Sequence, residues 1–292
     1  MVWPGALHAS GEPVHRRFVQ VKEKRCFFTD TGKGPLVVIL SSQLVLSRSY
    51  RWTAEVLSQN FRVVVVEMPG CGNSDSVSEP WSNSQYAEWV SNFLTALKVD
   101  EAAALVGHSD SGAPALEAAV RFPQQIKNLI LVDSIGANAP DSLPRLILMR
   151  MADAASEIRF SVPGLFHAGK NALFHTRNWL NQIRISAVYD LTDQAKQVKV
   201  PTLLAWGRRD KTIPLSAAGT FFRLIPNSHV YISDDGSHNW LIQRPEEFCQ
   251  AVTEFVHRKD KTSTFTIQLA SGVFQREKTA GEATALAANG SR

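Results

Sequence analysis

A serine hydroxyl is a weak nucleophile at neutral pH. It does acyl chemistry when it is held exposed, given a neighbouring base, and supplied with donors for the oxyanion that develops. The segment Val106-Gly107-His108-Ser109-Asp110-Ser111-Gly112 can meet the first need. An apolar run precedes it and a helix-compatible stretch follows, so Ser109 is predicted to stand on a sharp strand-to-helix turn whose flanking residues must be small. Where such a turn usually has glycine two places after the serine, this chain has Ser111, itself small, and then Gly112. Base and acid must come from positions distant in sequence that meet at the carboxyl ends of strands. His238, within Asp234-Asp235-Gly236-Ser237-His238, and Asp210, after Trp206-Gly207-Arg208-Arg209, each stand just past an apolar strand-like run. In these roles His238 would take the Ser109 proton and return it to the leaving group. Asp210 would fix the imidazole tautomer and stabilise the imidazolium. Asp133, closing the run Leu129 to Val132, is a second candidate for the acid. Asp234 and Asp235 lie too near His238 along the chain to orient it and read as turn residues.

Parallel strands, buried on both faces, read as continuous apolar runs, and here Leu36 to Leu40, Arg62 to Val66, Ala103 to Val106 and Leu129 to Val132 have that character. Helices are predicted between them at Tyr50 to Ser58, Ser82 to Lys98 and Ser111 to Phe122, the second with Tyr86, Trp89, Val90, Phe93, Leu94 and Leu97 on one face. Two shorter strands, Phe18 to Val21 and Cys26 to Thr29, flank the charged turn Lys22-Glu23-Lys24 and predict an antiparallel hairpin at one edge. From Asp133 to about Val198 the rhythm breaks into helix without a strand-like run. It resumes at Pro201 to Trp206, with a helix near Ser216 to Leu224, a strand at His229 to Ile232 and a helix at Pro245 to His257. The alternation implies an α/β fold: a mostly parallel central sheet with helices on both faces and a helical cap insert. The domain reading is therefore residues 1–134 and 199–258 as the core, 135–198 as the insert, and 259–292 as a tail. Beyond Thr264 to Leu269 that tail fades into Ala, Gly, Thr and Ser, a composition expected to be poorly ordered.

At 292 residues and 44% hydrophobic, the chain has ample material for a core. Its formal charge of +4 comes from Lys and Arg scattered among Asp and Glu, with no basic block, so neither nucleic acid nor an anionic membrane is expected as a partner. No apolar segment reaches the ~20 residues of a membrane helix and no signal-like N-terminus is present, so the expectation is a cytoplasmic enzyme. Cys26, Cys71 and Cys249 form no CxxC and leave one thiol over in any pairing, which points to neither a disulfide framework nor zinc. No metal or organic cofactor is expected.

Residues from about Phe18 to Val256 resemble the α/β-hydrolase superfamily, in its cap-bearing serine esterase and C–C-hydrolase-like branch. Besides the Ser109 turn and the order Ser109, Asp210, His238, three segments carry the resemblance. Glu67-Met68-Pro69-Gly70-Cys71-Gly72-Asn73-Ser74-Asp75 is similar to a D-x-P-G-x-G-x-S-D loop, with Glu in place of Asp. Pro201 to Pro214 is similar to P-T-L-x-x-W-G-x-x-D-x-x-x-P, and His238 to Phe248 to a histidine followed by P-E-E-F. The resemblance implies an oxyanion hole from the backbone N–H groups of Gln43 and Asp110. Here the family's His-Gly pair is replaced by Ser41-Ser42, and Asp110 places a carboxylate beside the nucleophile, which reads as a helix-start acid. It also implies hydrolysis of a small, fairly apolar ester, lactone or thioester through an acyl-serine. Acyl transfer and C–C bond hydrolysis on the same triad stay open, as does a ligand-binding protein without catalysis. The insert's aromatics, among them Phe160, Phe166, Phe174, Trp179 and Tyr189, are expected mainly to pack its helices together, and its excess of basic residues fits an anionic substrate or a solvated face equally.

Overall fold

The computed structural model describes residues 13–42, 46–137, 143–156, 158–258, 267–269 and 272–274. The chain opens with the hairpin β1 (His15–Val21) and β2 (Lys24–Thr31), turned through Lys22 at a φ of 51°. Then follow β3 (Leu36–Leu40), α1 (Arg51–Leu57), β4 (Arg62–Val66), α2 (Asn83–Ala96), β5 (Ala104–His108), α3 (Gly112–Arg121) and β6 (Leu129–Val132). α2 starts where the sequence predicts, because Ser82 and Gln85 form a reciprocal capping box. It stops two residues short of the predicted end, and Lys98 turns the chain away at a φ of 57°.

Between β6 and β7 the described residues form helices and no strand: α4 (Leu143–Ser156), α5 (Ile158–Phe174), α6 (Thr176–Val188) and the short α7 (Thr192–Ala195). The core resumes with β7 (Thr202–Gly207), α8 (Leu215–Leu224), β8 (Ser228–Ser233), α9 (Trp240–Gln243) and α10 (Pro245–His257). The eight strands lie in the order β1-β2-β4-β3-β5-β6-β7-β8, parallel from β4 through to β8 and antiparallel at β1 and β2. Every residue of β3, β5, β6 and β7 is buried, as their continuous apolar spelling requires. Alternate positions of the central strands, such as Val37, Ile39, Val63, Val65, Ile130 and Val132, join Tyr50, Phe61, Trp240 and Phe248 in one core.

A second unit comprises Thr262–Arg292; within it β9 (Ile267–Leu269) pairs antiparallel with β10 (Gly272–Phe274). β9 lies within the stretch Thr264 to Leu269 and β10 beyond it, in the tail expected to be poorly ordered, and the other residues of 259–292 lie outside the described residues. Among the described residues no helix is long and apolar enough to cross a membrane, and no group of three His, Cys, Asp or Glu is placed to hold a metal ion. All three cysteines are buried free thiols, and burial pushes the Cys26 thiol up to about 12.

The parallel strands all end at the same edge of the sheet, so the turns after β5, β6, β7 and β8 converge. The tightest packing lies there. A Cβ on Gly107 would stand 2.6 Å from the Gly112 Cα, and one on Gly112 would stand 1.9 Å from Ser134 Oγ. Gly107→Ala is therefore expected to cost about 1–3 kcal/mol in urea unfolding. Gly169→Ala on α5, where a Cβ meets nothing within 4 Å, is expected to gain roughly 0.5–1 kcal/mol.

Candidate active site

β5 ends at His108 and the chain reverses into α3 through Ser109, whose φ of 57° lies in the left-handed region that non-glycine residues rarely occupy. Ser111 accepts the His108 N–H at 2.9 Å, and its own proton reaches the Leu40 carbonyl at 2.8 Å and the His108 carbonyl at 2.9 Å. The departure from glycine at this position thus has a structural use. A buried hydroxyl ties the turn to the end of β3, which glycine has no atoms to do.

Ser109 Oγ lies 2.9 Å from His238 Nε2, and His238 Nδ1 lies 2.8 Å from Asp210 Oδ2. The loop after β7 holds Asp210 through the Ile213 N–H, 2.8 Å from Oδ1, and the Trp206 indole N–H closes the loop on the Ile213 carbonyl at 3.0 Å. Asp133, the rival acid, instead accepts the Gly207 N–H at 2.9 Å through Oδ1. Asp234 and Asp235 pair at the surface with Arg208 and Arg209, in keeping with turn positions. A hydroxyl in this arrangement can pass its proton to Nε2 while the carboxylate steadies the charge that appears on the ring.

Two residues unremarked in the sequence support His238. His108 Nε2 lies 3.0 Å from the His238 carbonyl, which can only accept, so the proton sits on Nε2 and Nδ1 accepts the Tyr50 hydroxyl at 2.8 Å. Tyr50 Oη in turn accepts the Ser42 N–H at 3.1 Å. Burial, with the charge of His238 adding to it, holds His108 down at about 3, so the ring stays neutral and the relay keeps its direction. The signal was His108 itself, a polar residue inside the Ser109 turn; its partner Tyr50 is 58 residues away in sequence. Of the two residues implied for an oxyanion hole, Gln43 lies outside the described residues. Asp110 opens the helical turn after Ser109, buried, and its charge acts on Tyr50 and Cys71.

Glu67, in place of the expected Asp, is buried and joins two loops. Its Oε1 accepts Ser47 N–H and O–H at 3.0 and 2.7 Å, and its Oε2 accepts Asn73 N–H and Nδ2 at 2.7 and 2.9 Å. The helical insert meets these loops through polar side chains. Asn171 accepts the Gly72 N–H at 2.9 Å, Asn178 donates to the Gly70 carbonyl at 3.0 Å, and His175 Nε2 contacts the Gly72 carbonyl at 3.2 Å. On α4, Asp153 accepts Thr212 N–H and O–H at 2.7 and 2.5 Å, beside Asp210. The expectation that aromatics pack the insert fails for Phe166 and Phe174, which are 73% and 64% exposed. They share α5 with His167 and Asn171, and those polar residues take the face that meets the core. Phe160 lies outside the described side chains.

A family model described as the alpha/beta hydrolase family matches residues 40–251. The chain belongs to the alpha/beta hydrolase family. Among curated relatives of this hydrolase, the 2-hydroxy-6-oxo-6-(2'-aminophenyl)hexa-2,4-dienoic acid hydrolase of Metapseudomonas resinovorans is 24% identical over 83% of this chain and 91% of its own. The pimeloyl-acyl-carrier protein methyl ester esterase of Aeromonas salmonicida (strain A449) is 26% identical over 77% of this chain and 96% of its own. Among solved structures, a membrane phospholipase A described as a bacterial virulence factor shares the fold with a TM-score of 0.72 at 22% identity, over 83% of this chain and 86% of that one. With this membership and these relatives, the ligand-binding alternative gives way to an enzyme with hydrolase activity.

Burial pushes the Asp210 carboxyl up to about 7, against the pull of the Ile213 N–H. From the ordinary 3.8 up to about 7 the unfolded chain has lost this proton and the folded hydrolase still holds it, so stability falls as pH rises through that window. Asp210→Asn, with no proton to lose, is expected to flatten the fall, as thermal unfolding at about pH 5 and about pH 8 would measure.

Proposed function

We propose that the protein is a serine hydrolase cleaving a small, fairly apolar ester, lactone or thioester through an acyl-Ser109 intermediate. The observation that carries this reading is the continuous hydrogen-bonded chain from Ser109 Oγ through His238 to Asp210, with Ser109 held in a strained turn. His238 takes the proton as Ser109 Oγ attacks the carbonyl carbon. The tetrahedral oxyanion is received by the Asp110 backbone N–H, with the Gln43 N–H as its second donor. His238 then protonates the leaving group. Water, activated by the same imidazole, releases the acid and restores Ser109. Above about pH 7 Asp210 is ionised and keeps the Nδ1 proton in place. Residues 135–198 serve as a cap over the core formed by 1–134 and 199–258, and its bonds to Gly70, Gly72 and Thr212 support that role.

The Metapseudomonas relative acts on a dienoic acid, so hydrolysis at a carbon–carbon bond is the second reading, using the same three residues. Acyl transfer differs only in the acceptor that replaces water. In each case a small-molecule substrate is the partner.

An activated-ester assay tests the triad. Ser109→Ala and His238→Ala are each expected to lower kcat by on the order of 10⁶-fold, and Asp210→Ala by on the order of 10⁴-fold. A fluorophosphonate probe should label the intact protein and spare Ser109→Ala; intact protein that stays unlabelled would sink the reading.

A further inference from the structure

The mechanism above leaves a second buried carboxyl unused. Asp133 follows β6 directly, is fully buried, and holds a φ of 44°, a conformation that costs a non-glycine residue energy unless its surroundings enforce it. Its backbone N–H donates to the Ala205 carbonyl at 3.1 Å, and its Oδ1 accepts the Gly207 N–H at 2.9 Å. These bonds fix the side chain between the ends of β6 and β7. Its other oxygen, Oδ2, is buried and accepts no hydrogen bond, and the carboxyl faces Asp210 and the Trp240 indole.

Two ionised carboxylates cannot stand side by side in a dry pocket, so one of them holds a proton. The donors decide which. Asp210 accepts from His238 Nδ1 and from the Ile213 N–H, and feels the positive charge of Arg150 on α4. Asp133 accepts the Gly207 N–H and faces the neutral Trp240 indole, whereas the His238 ring and the Arg150 charge act on Asp210, so the anion belongs on Asp210. We propose that Asp133 retains a proton and donates it as a hydrogen bond to the Asp210 carboxylate, making Asp133 a positioning residue that keeps Asp210 ionised and aimed at His238. Burial and the neighbouring Asp210 both push the Asp133 carboxyl well above the carboxylate range, in agreement with this placement. The assignment builds on the reading of Asp210 as the acid of the triad. The charged and titratable groups around the pair are His238 after β8, Arg150 and Asp153 on α4, with Asp153 tied to Lys211 and Thr212.

The test compares Asp133→Asn, whose amide can still donate, with Asp133→Val, which cannot. Losing the donor raises the pKa of Asp210, so the acid limb of the kcat/KM profile should move to higher pH in Asp133→Val. Its kcat should fall by about 10- to 100-fold with KM unchanged. Asp133→Asn should keep the position of the limb and most of kcat. Equal profiles in the two variants would overturn the proposal. An infrared measurement on the Ser109→Ala protein needs neither turnover nor the valine variant. A carboxylic-acid C=O band at about pH 8 that vanishes on adding Asp133→Asn is expected, and its absence from Ser109→Ala overturns the proposal. A protein that shows the band yet neither hydrolyses esters nor takes the phosphonate would instead overturn the serine-hydrolase reading and leave the proton on Asp133.

Discussion

At the end of β5 the chain must turn a corner with no free volume. Gly107 and Gly112 meet nearly backbone to backbone, Gly112 presses on Ser134, and the residue at the apex takes a left-handed φ. The rest of the site answers to that constraint. Ser109 stands at the apex of that corner, with its hydroxyl against His238. The Ser111 hydroxyl ties the corner to β3, and the Ser109 carbonyl accepts the Ile135 N–H at 3.2 Å, which ties it to the segment after β6. Strain stored at one residue is sustained by three strands' worth of packing.

The electrostatics follow from dryness. Asp210, Asp133, His108 and His238 are all buried within one polar cluster, where an unpaired charge would be very costly. The cluster meets this by giving every proton a defined direction: Tyr50 to His108, His108 to the His238 carbonyl, and His238 to Asp210. A neutral His108 supports His238 through its carbonyl without adding a charge.

Much of this could be read from residue order. Continuous apolar runs spelled the central strands, small residues around Ser109 spelled the turn, and Asp210 and His238 followed strands whose ends a parallel sheet brings together. Other features depend on contacts that periodicity does not encode. Tyr50 reads as a helix-start aromatic until the fold carries it to His108. Glu67 looks like a conservative departure, yet its extra methylene lets one carboxylate reach both Ser47 and Asn73. Asp133 and Asp210 compete as alternatives in sequence, whereas in space they are neighbours. The insert's inner face eluded a reading based on hydrophobic spacing because polar groups occupy it.

That inner face has a further consequence. Where Asn171, His175 and Asn178 meet the loop after β4, the core supplies main-chain atoms of Gly70 and Gly72. Main-chain groups persist through side-chain substitution, so the two sides of this seam are under unequal constraint. The loop can drift in sequence as long as its path is kept. The insert must hold each amide and imidazole where it is, so its own sequence carries the constraint that the loop escapes.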